Sequence, residues 1–358
     1  MTLATVLVFI LVTLAFPGPL AAQASLDGSR RHCASLSLLT SEDSAACSNL
    51  RLDEGEGFAP PPEPQPVPWA ESLEASSERT PLIKDDWLRI TLASGTAVGA
   101  AVGGFLNAYT ETPHHSFRFT NEGFFGRTTY VGGADKASHF VDYYIISKEL
   151  GNLYEVMGFS RNTSIALGFG VAFATGFMNE IGDGMNPYGF SYEDLTMNAL
   201  GAGTAALIKI ARIEDLVGFR VGLLLPLADG ETCCQVQGLG RDYSNEIYTG
   251  DLHLAGVADR LNLKVGPLRY LLFSITYGTK GYPSGTPSLR ERQVGFELGI
   301  DFKTVLNDLG VGRKTWWGYT LHLAFDNFRV PYTSVGYRYD LNHDKWTGPD
   351  NGNGFAAR

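Results

Sequence analysis

The hydrophobic period changes once along this chain, and that change limits what it can fold into. Between residues 85 and 213 the apolar residues come in uncharged runs with a small residue at every fourth position. Ile90 to Thr110 carries no charge and places Gly95, Gly99 and Gly103 on one helical face. Thr163 to Asn179 repeats the pattern with Gly168, Ala172 and Gly176, and Leu195 to Ile208 repeats it with Gly201 and Ala205. Small-residue stripes let helices approach closely. Asp85 and Asp86 are placed to cap a helix opening at Trp87. The second and third runs are short of the roughly 20 residues that span a bilayer. The pattern therefore predicts a tight bundle, either under a membrane surface or within one.

From about residue 217 to 342 the period is two. Trp317 to Asp326 alternates large apolar with small or polar residues, as does Arg292 to Phe302. Leu271, Phe273, Ile275 and Tyr277 repeat the alternation, as do Val335, Tyr337 and Tyr339, and Phe219, Val221, Leu223 and Leu225. Alternation of this kind predicts strands with one apolar face. His253 to Leu261 reads as a helix between strands. Five or six strands are fewer than the eight of the smallest membrane barrels. The fold class is α+β: a small-residue-rich helical bundle followed by an antiparallel, curved or barrel-like β region packed on it.

The remaining segments set the boundaries. Residues 1–24 read as a signal peptide: Leu3 to Phe16 is uncharged, Pro17 and Pro19 break the run, and Ala22-Gln-Ala24 offers a cleavage point, although no Lys or Arg precedes it. Residues 25–84 form a Pro-rich linker, with Phe58 to Trp69 extended. The bundle takes 85–213, the β region 214–345, and 346–358 is a flexible tail. Only 18% of residues are charged, the net charge is −10, and the cations are scattered. Nucleic acid, which needs clustered cations, is a poor partner. Cys33 and Cys47 can pair in an oxidising compartment; Cys233 and Cys234 are neighbours and would pair only under strain. The four lack the spacing of a zinc site.

Ionisable residues of the bundle gather in short stretches. Asp135, Lys136 and His139 fall within one turn, and Asp135 and His139 share a helix face. Asn179-Glu-Ile-Gly-Asp183 ends the second apolar run, Asp194 is followed by Asn198, and Arg161 opens the helix between. Local roles exist for several of them. Asp135 can cap a helix after Gly132-Gly133, Ser191 with Asp194 resembles a capping box, and Gly182 and Gly184 can stop a helix. Glu180 is harder to dismiss, because a carboxylate at a helix C-terminus faces the negative end of the macrodipole and wants a cation. Lys136, His139 or a metal would supply one.

The stretches DKASHF, NEIGDG and GFSYEDLTMNALGAG resemble the YfiM-like envelope lipoproteins, a family without an assigned function, through Asp135, Lys136, His139, Phe140, Arg161, Glu180, Asp183, Ser191, Asp194 and Gly201. Their order is also similar to the VanZ-like membrane family, whose last motif fits Asp194, Asn198 and Gly201. The resemblance covers about residues 130 to 210. It implies a cell-envelope location in a Gram-negative bacterium, at the outer membrane or its periplasmic face, with the inner membrane as the alternative. No Cys stands directly after the cleavage point, so attachment through lipid there is not expected.

Three readings follow. In the first, the protein is not an enzyme, holds no cofactor, and Asp135, Lys136, His139, Glu180, Asp183, Asp194 and Asn198 form a buried network that locks the helices, while the β region meets a membrane or envelope component. In the second, His139, Asp135, Glu180 and Asp183 bind one divalent metal in a membrane-associated hydrolase, with Asp194 as base. In the third, Lys136, Arg161 and helix N-termini hold an anionic lipid or glycan headgroup. The sequence carries neither a phosphate-binding loop nor a nucleophile elbow.

Overall fold

A computed structural model describes residues 83–223, 243–282, 287–313 and 315–350. The signal segment, the four cysteines and Leu225 lie outside the described residues. Helix α1 runs from Asp86 to Tyr109, capped by Asp85, whose carboxylate accepts the Leu88 N–H at 2.8 Å. Helices α2 (Ala134–Met157), α3 (Arg161–Asp183) and α4 (Tyr192–Ala211) follow. Ser160 caps α3 by accepting the Thr163 N–H, and Ser191 caps α4 by accepting the Asp194 N–H. Two short strands, β1 (Phe119–Thr120) and β2 (Phe190–Ser191), pair in parallel and tie the loop after α1 to the start of α4.

Helices α2, α3 and α4 pack on one another, and α1 packs on α3. Small residues permit this. A Cβ at Gly201 would lie 2.0 Å from the Phe140 carbonyl oxygen on α2, and one at Gly104 would lie 2.4 Å from the Thr175 carbonyl oxygen on α3. The Gly95, Gly99 and Gly103 stripe behaves otherwise: it meets open space. Helix α1 instead buries Ala93, Ala100, Gly104 and Ala108. The helix carries two small-residue faces, and periodicity does not choose between them. Helix α3 also exceeds its uncharged run, taking in Arg161, Glu180 and Asp183, so α1 and α3 are both long and apolar enough to cross a membrane.

The main sheet has the order β7-β3-β4-β5-β6-β8-β9. Its strands are β3 (Val217–Leu223), β4 (Glu246–His253), β5 (Leu271–Lys280), β6 (Glu291–Ile300), β7 (Phe328–Arg329), β8 (Ser334–Asp340) and β9 (Lys345–Asp350). Helices α5 (Leu254–Arg260), α6 (Phe302–Asp308) and α7 (Trp316–Asn327) connect them. The architecture is α+β, and among the described residues the sheet is open rather than a closed barrel. It is mixed rather than wholly antiparallel, because β3 and β7 pair in parallel.

Two expectations fail in this region. Trp317 to Asp326 is helix, not strand. Thr315 accepts the Gly318 N–H and caps it, and the buried residues Gly318, His322, Leu323 and Asn327 fall on one helical face. The alternation also contained that helical spacing, and packing on β3 and β7 buries the helical face. The expected tail from residue 346 begins instead as β9, which pairs with β8.

Two apolar clusters form the core, and the second joins the halves. Tyr143, Ile146, Leu150, Tyr154, Val171, Ala172 and Ala202 fill the space between helices. Val141, Tyr144, Ile145, Ile208 and Tyr248, with Phe219, Val221 and Tyr277, join α2 and α4 to the sheet. Helix α2 therefore has a covered face on both sides, and its first turn lies where helices and sheet meet.

Candidate functional site

The chain enters α2 through a left-handed turn. Val131, Gly132 and Gly133 have φ of 38°, 68° and 93°. Two glycines make this affordable, since most side chains resist positive φ. Gly133 occupies the N-cap position, so Asp135 is not the cap that its spacing predicts. Its carboxylate lies in the first turn, near the positive end of the helix dipole, and is free to serve other partners.

Those partners form a cluster around Lys136, whose exposure is 0%. The Lys136 ammonium lies 2.9 Å from Asp135 Oδ2 and 2.5 Å from Asp194 Oδ1, and it donates to Glu122 Oε2. Asp194 comes from the first turn of α4, and Glu122 from the segment after β1. The Tyr243 hydroxyl donates to Asp135 Oδ1 at 2.5 Å. One turn along α2, His139 Nδ1 sits 2.8 Å from Asn198 Oδ1. With Nδ1 donating to that oxygen, Nε2 faces Asp135 Oδ1 at 3.7 Å and Asp194 Oδ1 at 3.8 Å. Glu180 Oε1 lies 3.9 Å from the same ring, while Glu180 Oε2 accepts the Ser191 N–H at 3.3 Å. That last bond explains the incomplete capping box: the arm expected from Asp194 is supplied by Glu180 of α3, which leaves Asp194 for Lys136.

Not every expected member joins. Arg161 stands at the other end of α3, roughly 28 Å along the axis from Glu180 at 1.5 Å per residue. It donates to Glu214 and to the Lys209 carbonyl. The headgroup site that needed Lys136 beside Arg161 is thus not assembled. Asp183 turns to the side-chain amides of Asn179 and Asn186, at 2.9 and 2.7 Å. Gly182 lies inside α3, against α1, instead of ending the helix. Glu122 and Tyr243 were missed. They lie 14 and 108 residues from their partners, in segments with no motif of their own.

Carboxylates outnumber cations here, and the proton affinities follow. Burial, reinforced by the Asp135 and Asp194 charges, raises the Glu122 pKa to about 8 against the pull of Lys136. Burial raises Asp194 as well, with Asp135 adding to it. Burial also raises Glu180 well above the carboxylate range, with Asp194 and Asp183 adding to it. Asp183 rises to about 6, chiefly through burial. Asp135 goes the other way: burial pushes it up, but Lys136, His139 and the Tyr243 hydroxyl together hold it below its ordinary value. For Lys136, burial alone would lower the pKa; Asp135, Asp194 and Glu122 outweigh it and keep the ammonium charged. Glu180 Oε1 and Asn198 Nδ2 are buried without a hydrogen-bond partner.

One ligand atom each from Asp135, His139 and Asp194 lie within 4.8 Å of one another. This donor set, one imidazole and two carboxylates, is of the kind that zinc or manganese accepts. It differs from the set expected from sequence, since Asp194 stands where Glu180 and Asp183 were placed. Lys136 already brings positive charge to both of these carboxylates.

No curated protein and no solved structure matches the chain. The match to a family model supports a periplasmic or envelope location: residues 121–210, which contain Glu122 and every helical member of the cluster, match the family described as predicted periplasmic lipoprotein (DUF2279).

Proposed function

We propose that this is an exported envelope protein, on the outer-membrane or periplasmic face of a Gram-negative cell, and that the cluster around Lys136 serves structure rather than catalysis. The fully buried ammonium carries this reading. It joins the first turn of α2, the first turn of α4 and the Glu122 segment, and its removal would leave carboxylates with no cation. His139 extends the network to Asn198 and toward Glu180, so α2, α3 and α4 are held at one end. The test is a thermal melt of His139→Ala. Loss of the bond to Asn198 in a buried setting should cost about 1–3 kcal/mol. An unchanged melting temperature would overturn the structural reading.

A second reading is favoured by the three convergent donor atoms: Asp135, His139 and Asp194 bind one divalent cation. Metal analysis of purified protein after exchange into zinc or manganese decides it. A stoichiometric ion lost in His139→Ala would establish that reading, and wild-type protein without bound metal would remove it.

A further inference from the structure

The two faces of the main sheet have the polarity opposite to that of a sheet in water. The register lines up Phe219, Gly250, Ile275, Phe296 and Tyr337 across five strands on one face. The adjoining ladder on the other face reads Gly218, Asp251, Ser274, Glu297 and Gly336. The polar ladder is the covered one: Asp251, Ser274 and Glu297 are buried. Its charges are paired. Arg220 grips Asp251 with two bonds at 2.6 and 3.2 Å, and Arg329 grips Glu297 at 2.6 and 2.9 Å.

The second pair also reports the curvature. Arg329 is on β7 and Glu297 on β6, with β3, β4 and β5 between them in the sheet. In a flat sheet four strand spacings would separate them by roughly 19 Å. A direct contact requires the sheet to curl around its polar side, which makes the apolar side convex. Helix α2 covers the β3 part of that convex face, where Phe140 and Tyr144 pack edge-on against Phe219. Beyond β4 the face is bare except at Tyr277, which packs against the start of α2: Ile275 is 62% exposed, Val335 59% and Trp346 58%, with Phe296, Leu298 and Tyr337 beside them.

We infer that the bare convex face of β5, β6, β8 and β9 seats in the hydrocarbon of a lipid bilayer. The polarity of both faces selects lipid. A protein partner would need only an apolar patch over an ordinary apolar core. Here the polar groups are withdrawn into a paired interior, as in sheets whose outer surface meets lipid. The exterior of α1 is apolar as well, with Val98, Val102 and Leu106 exposed. With a net charge of −10, attraction to anionic headgroups does not drive the contact; apolar burial does. The inference builds on the envelope location above and is independent of the role of Lys136.

The test is flotation of the full-length protein with phosphatidylcholine vesicles, comparing wild type with the double variant Ile275→Glu, Val335→Glu. Wild type should float equally at low salt and at about 0.5 M salt, where surface charge is screened. The variant should bind about tenfold less or weaker still, because charge is strongly disfavoured on a lipid face. Both substituted positions are exposed, so the thermal melt of the variant should match that of wild type. If the variant misfolds, quenching of wild-type Trp346 by bromine-labelled lipid decides, with Trp346→Phe as the control. Equal flotation of a folded variant would overturn the inference, and so would an unquenched Trp346. Wild type that remains unbound as a dimer, with the variant monomeric, would assign the face to a second copy and overturn it too.

Discussion

Two buried charge clusters in this molecule are built on different accounts. In the sheet, two buried carboxylates each meet a guanidinium: Asp251 meets Arg220 and also accepts from Ser274, and Glu297 meets Arg329 with Arg338 3.6 Å away. In the bundle, Asp135, Asp194 and Glu122 converge on the single ammonium of Lys136, while Glu180 accepts the Ser191 N–H and lies 3.9 Å from His139. The difference appears in proton affinity. Burial pushes the Asp251 pKa up, yet it is held below its ordinary value, because Arg220 and the Ser274 and Thr249 hydroxyls together outweigh burial. Glu122 is buried and rises to about 8, because burial and the other acids outweigh its share of Lys136. A balanced pair is a fixed structural bond. An unbalanced cluster takes up protons or another cation, and its strength depends on the solution around it.

The largest effect should come from removing the shared cation. Lys136→Met leaves its carboxylates buried without a partner and should cost about 3–5 kcal/mol at pH 8, measured by denaturant unfolding. The loss should shrink toward pH 5, as Glu122 takes up a proton. A loss independent of pH would break the distinction between the two clusters.

The next effect is a pH slope. Glu122 has a raised folded pKa, so the native state holds a proton that the unfolded state releases above its ordinary value near 4.5. Its contribution is present below that value and is lost as pH rises to about 8. Melting temperature should therefore fall across this window, and Glu122→Gln should flatten the fall. Asp251 adds no slope there: its pKa is lowered, so its contribution is complete above the ordinary value and is lost only in acid. A Glu122→Gln profile as steep as wild type would place the excess charge elsewhere.

The smallest effect concerns the cap of α4, beside the cluster. Ser191→Ala removes the acceptor for the Asp194 N–H and should cost about 1 kcal/mol. The cost should be equal at pH 5 and pH 8, since a hydroxyl does not titrate there. A pH-dependent cost would show that the cap and the charge cluster act as one unit.

Much of the site could be read locally. Asp135, Lys136 and His139 share a turn by spacing alone, and Glu180 ending an apolar helix called for a cation. Arg161 was grouped with the site although it opens the 23-residue helix that Glu180 nearly ends, which sets the two roughly 28 Å apart along the axis. Glu122 and Tyr243 gave no signal, because a single polar residue in a connecting segment has no period.

By itself, the sequence determined that a helical half precedes a strand-rich half and that the two follow different periods, with α7 and β9 as exceptions. Those properties depend on residues within a turn or two of one another. Only the tertiary structure decided that α1 turns Gly95, Gly99 and Gly103 outward, that Lys136 serves Glu122, and that the sheet covers its polar face. Alternation reports that two faces differ; which of them is covered depends on what the rest of the chain packs against it.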